Sequence, residues 1–426
     1  MPSDSLLGDT LGWGLAILIF LTPLFFKDTH RNLSVFTAAQ FVILLHLLVS
    51  ITNAYIATTL GSELDAQAFH QTAVRLANSS SEWAARANAA YEFWLASIYS
   101  IVGPSQFLAN QISVLAFALS IPLLLNISRI LGTKKCDPWI VLLFGGLPPA
   151  WLFGSVSLRE SYEVFFLLLC VERCLHFHQT NRLLSLVPAL GSAFLLALFH
   201  NGFMIYSLFM LGLLIYWNIR STPKEHPFRI SKRRLGFAVT LFGIALMTFL
   251  SFDELKTSLY GASEAAIEGK VLNYAETYRS TAAGLSGRTT YNVIFDFSSF
   301  PSFLVSLGDI YIHYLFAPFP WQVRNILDFY AATESALRFC LLMAMFASLL
   351  IGSLPQRRSK YLLMIIYLSL SLLWSVGTAN YGTSIRHHLT TQWILYLLGL
   401  PVLLLGLRTK RRPNLRLVNA ATPHVG

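Results

Sequence analysis

A few short stretches of this chain bring together residue types that do chemistry. The first is Ser62-Glu63-Leu64-Asp65-Ala66-Gln67-Ala68-Phe69-His70. Its spacing predicts an amphipathic helix that runs on through Leu76, with Glu63 and Asp65 in the first turn. A carboxylate in that position can act as a general base, or can be no more than a charge favoured by the helix dipole. The second is Arg159-Glu160, within Ser155-Val156-Ser157-Leu158-Arg159-Glu160-Ser161, where an apolar run pauses and restarts. Ionisable residues at membrane depth are costly and usually functional; the plainer alternative is a self-contained Arg–Glu pair at a helix end. His200, also between two apolar runs, reads as a structural histidine or a polar ligand. Arg386-His387-His388 offers cationic and donor groups to an anion, Arg being suited to phosphate by its planar fork. Snorkelling to an interface would explain the same residues.

The elements that carry these groups follow from composition. The chain has 426 residues, 55% hydrophobic and 12% charged, against roughly 25% charged for a soluble domain. Mean hydropathy is +0.57. Apolar runs lie near 11–26, 34–57, 107–131, 138–156, 160–176, 183–199, 202–218, 235–251, 333–353, 361–377 and 388–407. Many approach the ~20 residues that cross about 30 Å of hydrocarbon, and helices satisfy their own backbone in lipid. The expected fold is an all-α polytopic bundle of about eleven spans. Outer loops cover 58–106 and 252–332, and 411–426 forms a disordered cytoplasmic tail. The run Phe303–Phe319 is expected to be re-entrant or interfacial, within the Pro301–Trp321 stretch. Trp83, Tyr91, Phe93, Trp94 and Trp321 read as an interfacial belt. Cys136, Cys170, Cys174 and Cys340 have no metal-ligand spacing and read as small buried hydrophobes.

Basic residues orient the bundle. With the N-terminus outside and the C-terminus inside, the inner loops hold 21 of the 31 Lys and Arg residues and only four acids, Asp28, Asp137, Glu172 and Glu225. That bias accounts for the net charge of +10 as membrane orientation and not as nucleic-acid binding. It also puts Glu63, Asp65, Arg159, Glu160, His200, Arg386 and His387 on the outer face together.

This layout resembles the GT-C superfamily of polyprenyl-phosphate-sugar-dependent glycosyltransferases. The resemblance rests on Asp65-Ala66-Gln67-Ala68-Phe69-His70-Gln71-Thr72-Ala73, on Tyr91 to Gly132 with its Val102-Gly103 break, on Leu158-Arg159-Glu160, and on Gly382-Thr383-Ser384-Ile385-Arg386-His387. It covers residues 34–200 well and the rest loosely. The chain departs from the family in an additional first span, in Glu63-Leu64-Asp65 where an Asp-Glu pair is expected, and in having no large C-terminal soluble domain.

The resemblance implies a multi-pass enzyme of the bacterial inner (cytoplasmic) membrane. It would pass a sugar from a polyprenyl phosphate to a glycan, lipid or protein hydroxyl on the non-cytoplasmic face. Asp65 would be the general base, with Glu63 as the other candidate. Arg159, Glu160, His200, Arg386 and His387 would bind substrate. Family members differ in needing a divalent metal, and Asp65, Glu63 and Glu160 could supply ligands. No Gly-rich phosphate loop is present. Two alternatives stand beside this expectation: a polysaccharide polymerase or ligase using polyprenyl-diphosphate glycans, and a lipid-linked sugar transporter or flippase, which would place charges at span centres.

Overall fold

A computed structural model describes residues 4–58, 63–78, 90–180, 183–200, 202–203, 206–207, 209–210, 212–213, 289–291 and 293–409. The expected spans at 202–218 and 235–251, the inner loop between them, the first part of the loop 252–332 and the tail 411–426 lie largely or wholly outside these residues.

The described residues are helical, apart from short turns and one isolated bridge between Thr290 and Asn380. In chain order the helices are α1 (Leu6–Phe25), α2 (Lys27–His30), α3 (Leu33–Tyr55), α4 (Glu63–Asn78), α5 (Ala90–Val102), α6 (Gln106–Leu131), α7 (Asp137–Gly146), α8 (Pro148–Gly154), α9 (Glu160–Thr180) and α10 (Leu186–Phe199). They continue with α11 (Phe300–Phe316), α12 (Ile326–Ser348), α13 (Leu354–Gly377), α14 (Tyr381–Leu398) and α15 (Leu400–Thr409). Six helices among the described residues are long and apolar enough to cross a membrane. The chain is an integral membrane protein. Its apolar outer surface fits this, with Leu6, Ile17, Leu33, Leu48, Leu350 and Phe329 all exposed.

Three expected spans take a different form for local reasons. The run at 138–156 is two helices, α7 and α8, bent by 56°. Pro148-Pro149 supplies no amide protons to continue α7, so the helix ends at Gly146. The run at 183–199 gives only the 14-residue α10. The run at 388–407 begins earlier, because Asn380 caps α14 through the amide of Thr383 at 2.8 Å. Two further expectations are corrected. Cys340 is exposed, not buried. Tyr91 is buried inside the bundle and does not join the belt, whereas Trp94 and Trp321 are exposed.

The excursion around α11 has both flanks at one end of the bundle. Upstream, the Tyr291 amide donates to the Ala379 carbonyl at 2.9 Å. Downstream, the Tyr381 hydroxyl donates to Asp328 at 2.8 Å. The chain therefore leaves and returns beside the α13–α14 turn.

The centre of the bundle is α14. Every residue from Thr390 to Leu398 is buried, and the helix packs on α7, α8, α9, α12 and α13. Glu334 and Arg338, one turn apart on α12, are buried beside it and paired at 3.2 Å. Charges therefore lie within a span as well as at span ends.

Candidate functional site

The site is assembled at the end of the bundle that carries the α13–α14 turn. Helix α4 arrives there through an apolar stripe: Ala66, Phe69, Ala73 and Leu76 follow helical spacing and face inward. Ala66 packs with Phe153 of α8 and with Val156 and Leu158 of the buried turn between α8 and α9. Ser157 ties that turn to two neighbours. Its hydroxyl donates to the Ala66 carbonyl at 3.3 Å and accepts from Gln106 at 2.7 Å. Asp65 is thereby held over the start of α9.

Arg386, on the first turns of α14, reaches two carboxylates. Its Nε donates to Glu160 Oε1 at 2.8 Å, and its Nη2 donates to the same oxygen. Its Nη1 donates to Asp65 Oδ2. The two acids are held unequally. The Glu160 side chain is 7% exposed and that of Asp65 is 53% exposed. Buried partners are worth about 3–5 kcal/mol when broken from one side, while an exposed pair is worth about 0.2–1 kcal/mol. Glu160 is the fixed partner and Asp65 the releasable one. Glu160 also keeps a buried oxygen, Oε2, with no partner among the described residues.

Arg159 does not pair with Glu160 as a local couple. Its Nη1 donates to the Phe199 carbonyl at 3.2 Å, its guanidinium lies over the Phe69 ring at 5.2 Å, and its buried Nε has no partner among the described residues. Phe199 ends α10, and the next residue is His200. His200 and His387 stand with ring centroids 6.3 Å apart at 90°, and both contact Trp374. Burial, followed by the charges of Arg159, His387 and Arg386, pushes His200 well below the usual imidazole range, so it is neutral near pH 7.

Six of the seven residues singled out from sequence thus gather at one end of the bundle: Asp65, Arg159, Glu160, His200, Arg386 and His387. Glu63 lies in α4, but its side chain is outside the described residues. His388, in contrast, turns into the bundle and bonds the Tyr314 carbonyl at 3.0 Å. Among the described residues no group of three His, Cys, Asp or Glu side chains converges as a metal site; Asp65 and Glu160 converge on Arg386 instead.

The sequence reading passed over Glu163, Trp374 and Thr378. Glu163 is a buried acid one turn beyond Glu160, and its place in an apolar run was a visible signal. Trp374 and Thr378 gave none, because an aromatic and a threonine at a span end are ordinary.

A cavity of about 30 Å³, room for about one or two waters, lies inward of the cluster. Glu160, Glu334 and Gln392 line it, among apolar side chains of α7, α8 and α14. An integral membrane protein with a charged, partly exposed cluster at one end is what fold and site define together. Comparison with protein-family models, characterised proteins and solved structures returns no match for this chain.

Proposed function

We propose that the chain is a glycosyltransferase of the bacterial inner membrane, with its N-terminus outside. It moves a sugar from a polyprenyl-phosphate donor to an acceptor hydroxyl on the non-cytoplasmic face. The observation that carries this reading is the unequal hold of Asp65 and Glu160 on Arg386. A lipid phosphate arriving from the bilayer competes for the outer face of Arg386, and the contact that yields is the exposed one with Asp65. Binding of the donor then frees the carboxylate. Asp65 takes the proton of the acceptor hydroxyl, the acceptor oxygen bonds to the sugar carbon, and the bond from that carbon to the phosphate oxygen breaks. The departing lipid phosphate keeps the electron pair. Its charge is met by Arg386 and by Arg159, which has donor capacity to spare. Glu160 keeps Arg386 in place throughout.

The test is turnover of a polyprenyl-phosphate sugar by the full chain in liposomes, across a set of donor sugars. Asp65→Asn preserves size and hydrogen bonding while removing basicity. It is expected to lower turnover about 100- to 10,000-fold with the protein still folded and inserted. Glu63→Gln is expected to cost much less. Near-wild-type turnover in both variants would remove this mechanism.

A further inference from the structure

The imidazoles of His200 and His387 differ in which nitrogen carries the proton, and the hydrogen bonds around them fix the assignment. The Thr378 hydroxyl has one proton. It lies 2.7 Å from the Trp374 carbonyl, which can only accept, so the proton is committed there. The same hydroxyl lies 2.8 Å from His387 Nδ1 and must therefore accept from it. That makes Nδ1 the protonated nitrogen of His387 and leaves Nε2 with a lone pair. At His200 the assignment reverses. The Gly202 amide donates to Nδ1 at 3.0 Å, so the ring proton sits on Nε2. Neither Nε2 has a hydrogen-bond partner among the described residues, and neither is among the sealed, partnerless polar atoms.

The two rings are also held in place. Trp374 stacks on His387 at 4.3 Å and 19°, and meets His200 edge-on at 4.7 Å and 90°. Trp374 is itself fixed by its indole N–H to Thr390 at 3.2 Å. A centroid separation of 6.3 Å exceeds direct ring-to-ring hydrogen bonding. Two hydrogen bonds of about 2.8 Å in series through one oxygen join ring nitrogens up to about 5.6 Å apart, and rings at this centroid separation come within that reach when both Nε2 atoms turn toward the oxygen. The charged groups around the pair are Arg386, on the helix of His387, and Arg159, at the start of α9. A second proton on His387 would add a third cation to that group.

We propose that His200 and His387 form a hydroxyl-binding subsite, in which one oxygen accepts from His200 Nε2–H and donates to His387 Nε2. A hydroxyl fits this donor and acceptor arrangement, whereas a phosphate dianion has no proton to give His387. The inference rests on the glycosyl-transfer reading for the identity of the occupant, which is then a sugar or other alcohol of the acceptor. His387 takes part as a hydrogen-bond acceptor that orients the occupant, since burial and the two neighbouring arginines oppose a second proton on its ring, and proton transfer is left to Asp65.

The experiment is ¹⁵N magnetic resonance on the full chain in nanodiscs, with labelled histidine and methyl glucoside as the probe. His387→Gln and His200→Gln assign the two sets of signals. The expected result is a His387 protonated at Nδ1 and a His200 protonated at Nε2, with methyl glucoside shifting both Nε2 signals together. In Thr378→Val, which keeps the side-chain shape, His387 loses its acceptor. Its proton is expected to move to Nε2, and the shared glucoside shift to disappear. A His387 protonated at Nε2 in the unaltered protein overturns the proposal, as does a saturating dose of glucoside that shifts neither signal. Asp65→Asn is expected to leave the glucoside shifts in place. A normal shift with full turnover in that variant thus counts against the Asp65 mechanism alone, and a missing shift with lost turnover counts against the subsite alone.

Discussion

At Arg386, one guanidinium is shared between a buried and an exposed carboxylate, and the difference sets separate roles for two acids of similar chemistry. Removing Glu160 leaves a largely buried cation held by an exposed partner alone. Glu160→Gln is expected to destabilise the protein by about 3–5 kcal/mol, read as denaturant unfolding in detergent. Asp65→Asn is expected to cost under about 1 kcal/mol in the same measurement, despite its effect on turnover. Equal losses in the two variants would contradict the assignment of fixed and releasable partners. Both acids and Arg386 were legible in the sequence as chemistry on one face. Their meeting was not, because Asp65 and Arg386 lie 321 positions apart and no local pattern encodes the crossing. The protonation of His387 was still less legible, since it depends on a Thr378 hydroxyl whose own bond appears only once α13 is built.

Among the elements, α11 and α12 show how a buried charge can serve packing. Arg338 Nη1 donates to the Leu315 carbonyl at 2.6 Å, near the end of α11, while Nη2 reaches Glu334. Gln392 of α14 reaches the same Glu334 oxygen at 3.3 Å. The Arg338–Glu334 pair thus ties three helices. Arg338→Ala is expected to lower unfolding stability by about 3–5 kcal/mol, because Glu334 is left charged and buried. The double variant Glu334→Gln with Arg338→Met is expected to regain much of that loss. A double variant as unstable as the single one would show that the pair is not the cause. The sequence did display this pair, as two charges one turn apart inside an apolar run. Hydropathy averages over a window and hides such a compensated couple, so the run at 333–353 reads as apolar throughout. The bend between α7 and α8 was legible too, in Pro148-Pro149, yet an apolar count alone reads through it.

For the molecule as a whole, the end that gathers Asp65 and Arg386 is opposite the one that carries Arg129 and Lys360. Arg129, at the end of α6, pairs with Asp28 of α2, and Lys360 of α13 caps the α12 end through Ser348 and Ile351 carbonyls at 3.0 and 2.9 Å. The sidedness read from Lys and Arg is expected to hold in the membrane. In a chain freed of its native cysteines, a cysteine at exposed Trp321 is expected to react with an impermeant reagent from outside, and one at Arg358 only from inside. Reaction of both from one side would undo the orientation.

The most direct test of the central claim is a structure of the full chain in nanodiscs with a polyprenyl-phosphate sugar bound. The account predicts the donor phosphate within hydrogen-bond reach of Arg386, about 2.7–2.9 Å, with Asp65 released and Glu160 still in contact. A phosphate bound elsewhere, or bound at Arg386 with Glu160 displaced and Asp65 retained, would contradict it.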